Sequence, residues 1–276
     1  MPFKEFFELP FLRNACLAAL LAAVAAGPVG SIVVVRRSTY LAGAVSHSVL
    51  AGIGLSLLLS RRFDIHLLSP TAGAMTVAVV TALLLAWLSN TRKFRPDTVL
   101  SAVWTCGMAL GVTFVAATPG YQSDLMGYLF GSILLVPNSD LVWMAVMDLA
   151  VVATVTFCYN KLLAISFNAE LAELRGVRTW AYETVYHLLT AVTVVLLVRV
   201  AGIVLAVALL TLPAATAGLL TRRLNRMMAA AAALGAAFSL AGIALSYQFD
   251  CPPGATIVEL AVLAYLLTAM FRRKKL

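Results

Sequence analysis

From residue 11 to residue 271 the chain is a series of apolar runs separated by short breaks that hold most of its charge. Several runs exceed the roughly 18 apolar residues that cross about 30 Å of hydrocarbon. Such runs restrict the chain to an all-α, polytopic transmembrane bundle and leave no sizeable soluble domain. Composition agrees, because 62% hydrophobic and only 12% charged residues, with a mean hydropathy of +0.96, exclude an ordinary soluble fold. The net charge of +8 lies at the ends of the apolar runs, which is membrane topology and not a nucleic-acid footprint. Lys4, Glu5, Glu8 and Arg13 precede the first run, and no small-residue cleavage site follows a short core, so a retained span is expected there.

The charged breaks divide the chain into spans near 11–35, 38–59, 66–89, 97–118, 139–163, 183–198, 201–221, 227–247 and 253–271. Arg199 is the weakest boundary: if it is tolerated inside one long helix, nine spans become eight. The piece from Met126 to Val136 is too short to cross alone and reads as a re-entrant or interfacial helix. With nine spans and the N-terminus outside, 15 lysines and arginines fall on one side and 5 on the other, a bias that predicts a cytoplasmic C-terminus. Two segments on that side look like partner surfaces. "FNAELAELRGVRTW" (Phe167 to Trp180) has a helical centre with a glycine to end it, and "LTLPAATAGLLTRRLNRMM" (Leu212 to Met228) turns basic after a proline.

An ionisable group inside hydrocarbon costs on the order of 2.5 to 3.5 kcal/mol at a helix centre, so each one needs a reason. His47 lies about nine residues into its span, roughly 13 Å at helical rise, and therefore near mid-membrane. Gly43, Ala51 and Gly54 share its face, which allows another helix to come close. Its imidazole is either a ligand for zinc, manganese or iron, or a packed group bonded to a neighbouring helix. Asp148 is similarly deep and either faces a pathway or bonds to a hydroxyl nearby; Glu259, roughly 9 Å in from Pro253, is either a cation attractor or a helix-helix contact. Glu183 and His187, four apart, have metal-compatible spacing, but their place near the surface favours an interfacial ion pair. His66 beside Asp64 reads as a solvated interface residue. Cys16, Cys106, Cys158 and Cys251 are too scattered for a zinc or redox motif. The absence of GxxxxGK[ST], HExxH, CxxC and GxSxG excludes nucleotide hydrolysis by this chain and gives no handle for an intramembrane enzyme.

In order and spacing, "RRSTYLAGAVSHSVLAGIGL", "LMGYLFGSILL", "FNAELAELRGVR", "VRVAGIVLAVALLTLPAATAGLL" and "SYQFDCPPGATIVELAVLAYLL" resemble the permease subunit of bacterial ATP-binding-cassette importers for zinc, manganese and iron. The resemblance spans nearly the whole chain. It implies one permease domain over 1–276, of the type II importer kind, working as a homodimer in the bacterial inner membrane. Separate ATPase subunits would dock on its cytoplasmic face, and an extracytoplasmic metal-binding protein would deliver the ion. No cofactor is implied; the divalent metal is the transported substrate. The implied cytoplasmic coupling helix covers 212–225, with Leu212, Pro213, Ala214, Ala215 and Thr216 in its small-residue turn and Arg222 and Arg223 after it. Many relatives carry an aspartate four residues before the histidine, where this chain has Gly43, so the implied metal contacts reduce to His47, with Asp148 and Glu259 as candidate replacements. Many also carry aspartate where Asn168 stands. Two other readings remain: an ion-coupled secondary transporter using its intramembrane acids, and a permease for a siderophore or cobalamin chelate.

Overall fold

The computed structural model describes residues 10–65, 69–91, 95–119, 131, 133 and 136–273. His66 and most of the Met126 to Val136 piece lie outside them. Among the described residues the elements are α1 (Pro10–Val35), α2 (Thr39–Arg62), α3 (Pro70–Asn90), α4 (Pro96–Ala116), α5 (Asn138–Phe167), α6 (Ala169–Leu174), α7 (Thr179–Leu220), α8 (Leu224–Phe249) and α9 (Pro253–Arg273). Prolines at the first turns of α3 and α4 start those helices, where a missing N–H costs nothing.

Eight of these helices are long and apolar enough to cross a membrane. One of them, α7, has 42 residues and would run about 63 Å if straight, twice the hydrocarbon thickness. It does not run straight, because Gly202 adopts φ 80° and ψ 170°, a conformation open essentially only to glycine. Side-chain contacts show that the chain reverses there. At the start of α7, Glu183 pairs with Arg36 at the end of α1. Near Gly202, Arg199 pairs with Asp140 at the start of α5. Beyond Gly202, the backbone of Leu210 lies against Gly30, back toward the Arg36 end of α1. The two arms, residues 179–201 (α7a) and 203–220 (α7b), are therefore antiparallel, and the described residues make nine passes. The expected break at Arg199 is real but displaced by three residues, because Arg199 completes α7a and is anchored by Asp140 and Thr71.

The fold has two ends. One gathers Arg36, Arg175, Arg178, Arg222 and Arg223 and is called the basic end; the other holds Arg199 and the starts of α1, α3 and α5. α7 is the hub, packed against α1, α2, α3, α5, α6, α8 and α9. α2 packs on α3, α4 and α7 and is buried along most of its length. Helices gain little from apolar burial against one another in lipid, so association rests on close van der Waals contact between small residues. The seams carry them: a Cβ on Gly30 would lie 2.0 Å from the Leu210 carbonyl oxygen, and one on Gly107 2.7 Å from the Ser48 Cα.

At the basic end, α6 forms as its sequence leads one to expect. Asn168 caps it by accepting from the Leu171 N–H at 2.9 Å, and Gly176 (φ 79°) closes it. Gly176 and Gly202 make a matched pair for testing. Gly176 has nothing near its missing Cβ, whereas Gly202 is the only turn joining two buried arms and Gly131 packs against it. Gly202→Ala is expected to lower stability by about 1 to 3 kcal/mol, read as faster thermal inactivation in detergent, while Gly176→Ala has a smaller effect. Equal melting of the two variants would contradict the reversal as described.

Candidate functional site

His47 sits on α2 eight residues after Thr39, about 12 Å along the 24-residue helix and so away from both of its ends. Its face also behaves as the spacing requires. Gly54 lies against the Gly111 carbonyl, and Ala51 against Gly111, so α2 and α4 meet along the glycine-rich stripe. The neighbour that matters most is Trp104, which the sequence alone did not single out. Its indole stacks on the His47 imidazole with ring centroids 4.6 Å apart and planes 25° apart. A Cβ placed on Gly43 would lie 2.0 Å from the same indole. An aromatic ring from α4 therefore fills the space beside Gly43, the position where the family resemblance leads one to expect an aspartate. Trp104 needs Gly43, and in turn it flattens His47 against the helix seam. The signal was present as Trp104, Gly107 and Gly111, a stripe on one face of α4, but it has meaning only once α4 is known to face α2.

His47 is half-buried, and its Nδ1 is buried without a hydrogen-bond partner. The packed alternative, an imidazole satisfied by a neighbour's serine or carbonyl, is therefore not what the Nδ1 atom shows. Ser48, one residue on, spends its hydroxyl on the Ala44 carbonyl at 2.8 Å.

The three candidate metal contacts are not brought together within one chain. Asp148 is 3% exposed on the face of α5 that packs against α1 and α7, and neither carboxyl oxygen has a hydrogen-bond partner. The expected hydroxyl partner is thus not found. Glu259 is exposed on α9, which packs on α7 and α8. No group of three or more His, Cys, Asp or Glu residues suited to a metal ion occurs among the described residues. His47 and Asp148 nevertheless share a depth. The Arg199–Asp140 pair sets α5 against α7a so that Asp148 is level with Ala191, and the Ser38–Tyr186 bond sets α2 so that His47 is level with Val195. They stand within about one helical turn of each other in depth, on different flanks of α7.

At the basic end Arg36 spans both oxygens of Glu183, at 2.6 and 2.8 Å, and lies 4.4 Å from the Tyr186 ring centroid. The expected interfacial pairing of Glu183 is present, but its partner is on α1 and not on its own helix. The coupling segment needs a larger correction. Residues 212–220 are the last turns of α7b, not a separate surface helix, and Pro213, Ala214 and Thr216 are buried in the bundle. Leu212 and Ala215 are half-buried, while Arg222 and Arg223 are exposed in the turn before α8. The reason is apolarity: eight of the nine residues from Leu212 to Leu220 are aliphatic, glycine or proline, so they complete a pass before the first arginine.

Comparison with known proteins adds four findings. The profile of the ABC 3 transport family matches residues 8–272. An uncharacterised membrane protein of Synechocystis is 37% identical over 96% of this chain and 92% of its own length. The manganese transport system membrane protein MntC of Halalkalibacterium halodurans is 31% identical over 99% of this chain and 91% of its own. Among solved structures, PsaBC from Streptococcus pneumoniae in complex with Fab matches with a TM-score of 0.84 and 27% identity, covering 96% of this chain and 94% of that one.

The exchange of aspartate for an indole is testable by itself. Gly43→Asp is expected to reduce the folded yield sharply, because its side chain and Trp104 occupy the same space, and adding Trp104→Ala is expected to restore it. Size-exclusion recovery from membranes reads both; full yield of the single variant would contradict the steric account.

Proposed function

The chain belongs to the ABC 3 transport family, and on that premise we propose that it is the membrane permease subunit of an ATP-driven importer of divalent metal ions, zinc, manganese or iron. The name of the Halalkalibacterium relative favours manganese. The observation that carries the site is His47: an intramembrane imidazole on the most buried helix, at mid-depth, with a ring nitrogen unspent on any neighbour. We assign it the first contact with the passing ion. Asp148, at the same depth and equally unspent, is the second candidate, reached if α5 and α7 part during transport.

ATP hydrolysis belongs to separate subunits, since this chain has no phosphate-binding loop. The 15 to 5 bias of lysine and arginine supports a cytoplasmic basic end and C-terminus in the bacterial inner membrane. The ATPase contact then narrows from 212–225 to what protrudes, namely Leu220, Arg222, Arg223 and Asn225. Pro213 to Thr216 become the packed stem that transmits its motion. An extracytoplasmic metal-binding protein would dock at the opposite end. Glu259 supports a homodimer: a carboxylate on the outer face of α9, partway into the bilayer, is costly against lipid and inexpensive against a second copy or a wet path. Alternating access would bias the two faces in turn, with ATP binding and hydrolysis supplying the differential energy.

His47→Ala is expected to cut metal uptake by about tenfold or more while the protein still inserts and assembles, since even outer-shell partners of metal ligands are worth about 10- to 100-fold. Uptake at the parental rate would remove His47 from the path. Arg222→Glu with Arg223→Glu is expected to abolish co-purification of the ATPase subunit and leave the permease folded, because both side chains are exposed.

A further inference from the structure

The Arg36–Glu183 pair borders a cavity of about 670 Å³ at the basic end, between the α1–α2 turn, the end of α3, the start of α4, α6 and the start of α7. Among the described residues its charged and titratable lining consists of Arg36, Glu173, Glu183, Tyr186 and His187. His187 is 7% exposed and fixed in place. Its ring meets Tyr186 edge-on with centroids 5.2 Å apart, and its Nδ1 is 2.7 Å from the Glu183 carbonyl oxygen. A carbonyl only accepts, so Nδ1 carries the proton and Nε2 keeps its lone pair. This is the arrangement that metal-binding histidines use, one nitrogen held by a backbone carbonyl and the other free to ligate. One turn earlier, on the same face of α7, stands the Glu183 carboxylate.

We propose that His187 Nε2 and the Glu183 carboxylate form a second divalent-cation site in this cavity, with Arg36 as its built-in competitor. The inference rests on the metal-transport reading and adds a station to it, beyond His47. As the structure stands, the guanidinium satisfies both oxygens of Glu183 and rests against the Tyr186 ring. A doubly charged ion arriving in the cavity offers Glu183 a stronger field than a singly charged guanidinium does. Arg36 can give up the carboxylate and keep its place over Tyr186, where a cation is already favoured by the ring face. The site supplies two side-chain ligands from one helix, the rest being water. So few ligands give weak binding, which is what a release-side station requires, since an ion must leave as readily as it enters. Glu173, on α6 across the same cavity, adds negative potential without being placed as a ligand.

Binding of Mn²⁺ to the purified full-length permease, followed by loss of the free-ion EPR signal, tests the proposal. Arg36→Gln is expected to tighten one class of sites by about tenfold, because the competitor is gone. His187→Ala added to it is expected to abolish that gain, while His47→Ala added to it leaves the gain in place. Tightening that survives His187→Ala overturns the proposal. If Arg36→Gln does not fold, wild type against His187→Ala at millimolar Mn²⁺ decides: His187→Ala keeps the ion pair, and equal binding by the two overturns the site. Failure of the underlying transport reading shows separately, as cellular metal uptake that deletion of the whole permease leaves unchanged.

Discussion

A chain in hydrocarbon must satisfy its backbone within each helix, so the place where it turns is more constrained than any stretch of helix. Here the critical turn is a single residue. Gly202 reverses α7 without an intervening loop, and the two arms it joins are packed upon by α1, α2, α3, α5, α6, α8 and α9. Arg199 stands three residues before the turn and ties it to α5 through Asp140 and to α3 through Thr71. The hub, its reversal and the ends of two neighbouring passes thus form one joint, built where a charged side chain can stay near water.

The position of His47 follows from that arrangement. α2 is held on one flank of α7 by the Ser38–Tyr186 bond and on its other side by α4, so the imidazole is presented to an interhelical seam and not to lipid. Trp104 then determines what kind of seam it is. Where an aspartate would bring a negative charge beside the histidine, this chain brings an aromatic face. The local field beside His47 is set by imidazole nitrogen and ring quadrupole and not by a carboxylate, so a cation at the proposed contact would need its charge compensated by other groups or by another copy of the chain.

Much of this was legible in advance because it depends on one helix at a time. Run lengths located the passes, Asn168 and Gly176 marked the ends of α6, and the Gly43–His47–Ala51–Gly54 spacing identified the packed face of α2. What could not be read was which faces meet. Periodicity orients a residue about its own axis but leaves the neighbour unnamed, so Trp104 was passed over and Arg36 was not matched to Glu183 across 147 positions of sequence. The small-residue stretch after Leu212 misled for a related reason. Alanine, proline and threonine suit a surface turn and a tightly packed pass equally well, and only the burial of Pro213, Ala214 and Thr216 separates the two. Glu259 was read from depth alone, whereas its direction, outward from α9, is what determines its partners.

The α2–α4 seam constrains how the bundle can move. Gly107 and Gly111 lie against the backbone of Ser48, Leu50 and Ala51, while Gly43 receives an indole, so each contact is cut to the shape of one partner. Shifting α4 along α2 by a single residue would bring a side chain to a place that admits only hydrogen. The two helices are therefore keyed like a splined shaft: they can tilt together as one piece, but neither can slide past the other. If an ion passes His47 as proposed, the pair would have to move bodily, and the give would have to come from the helices around them.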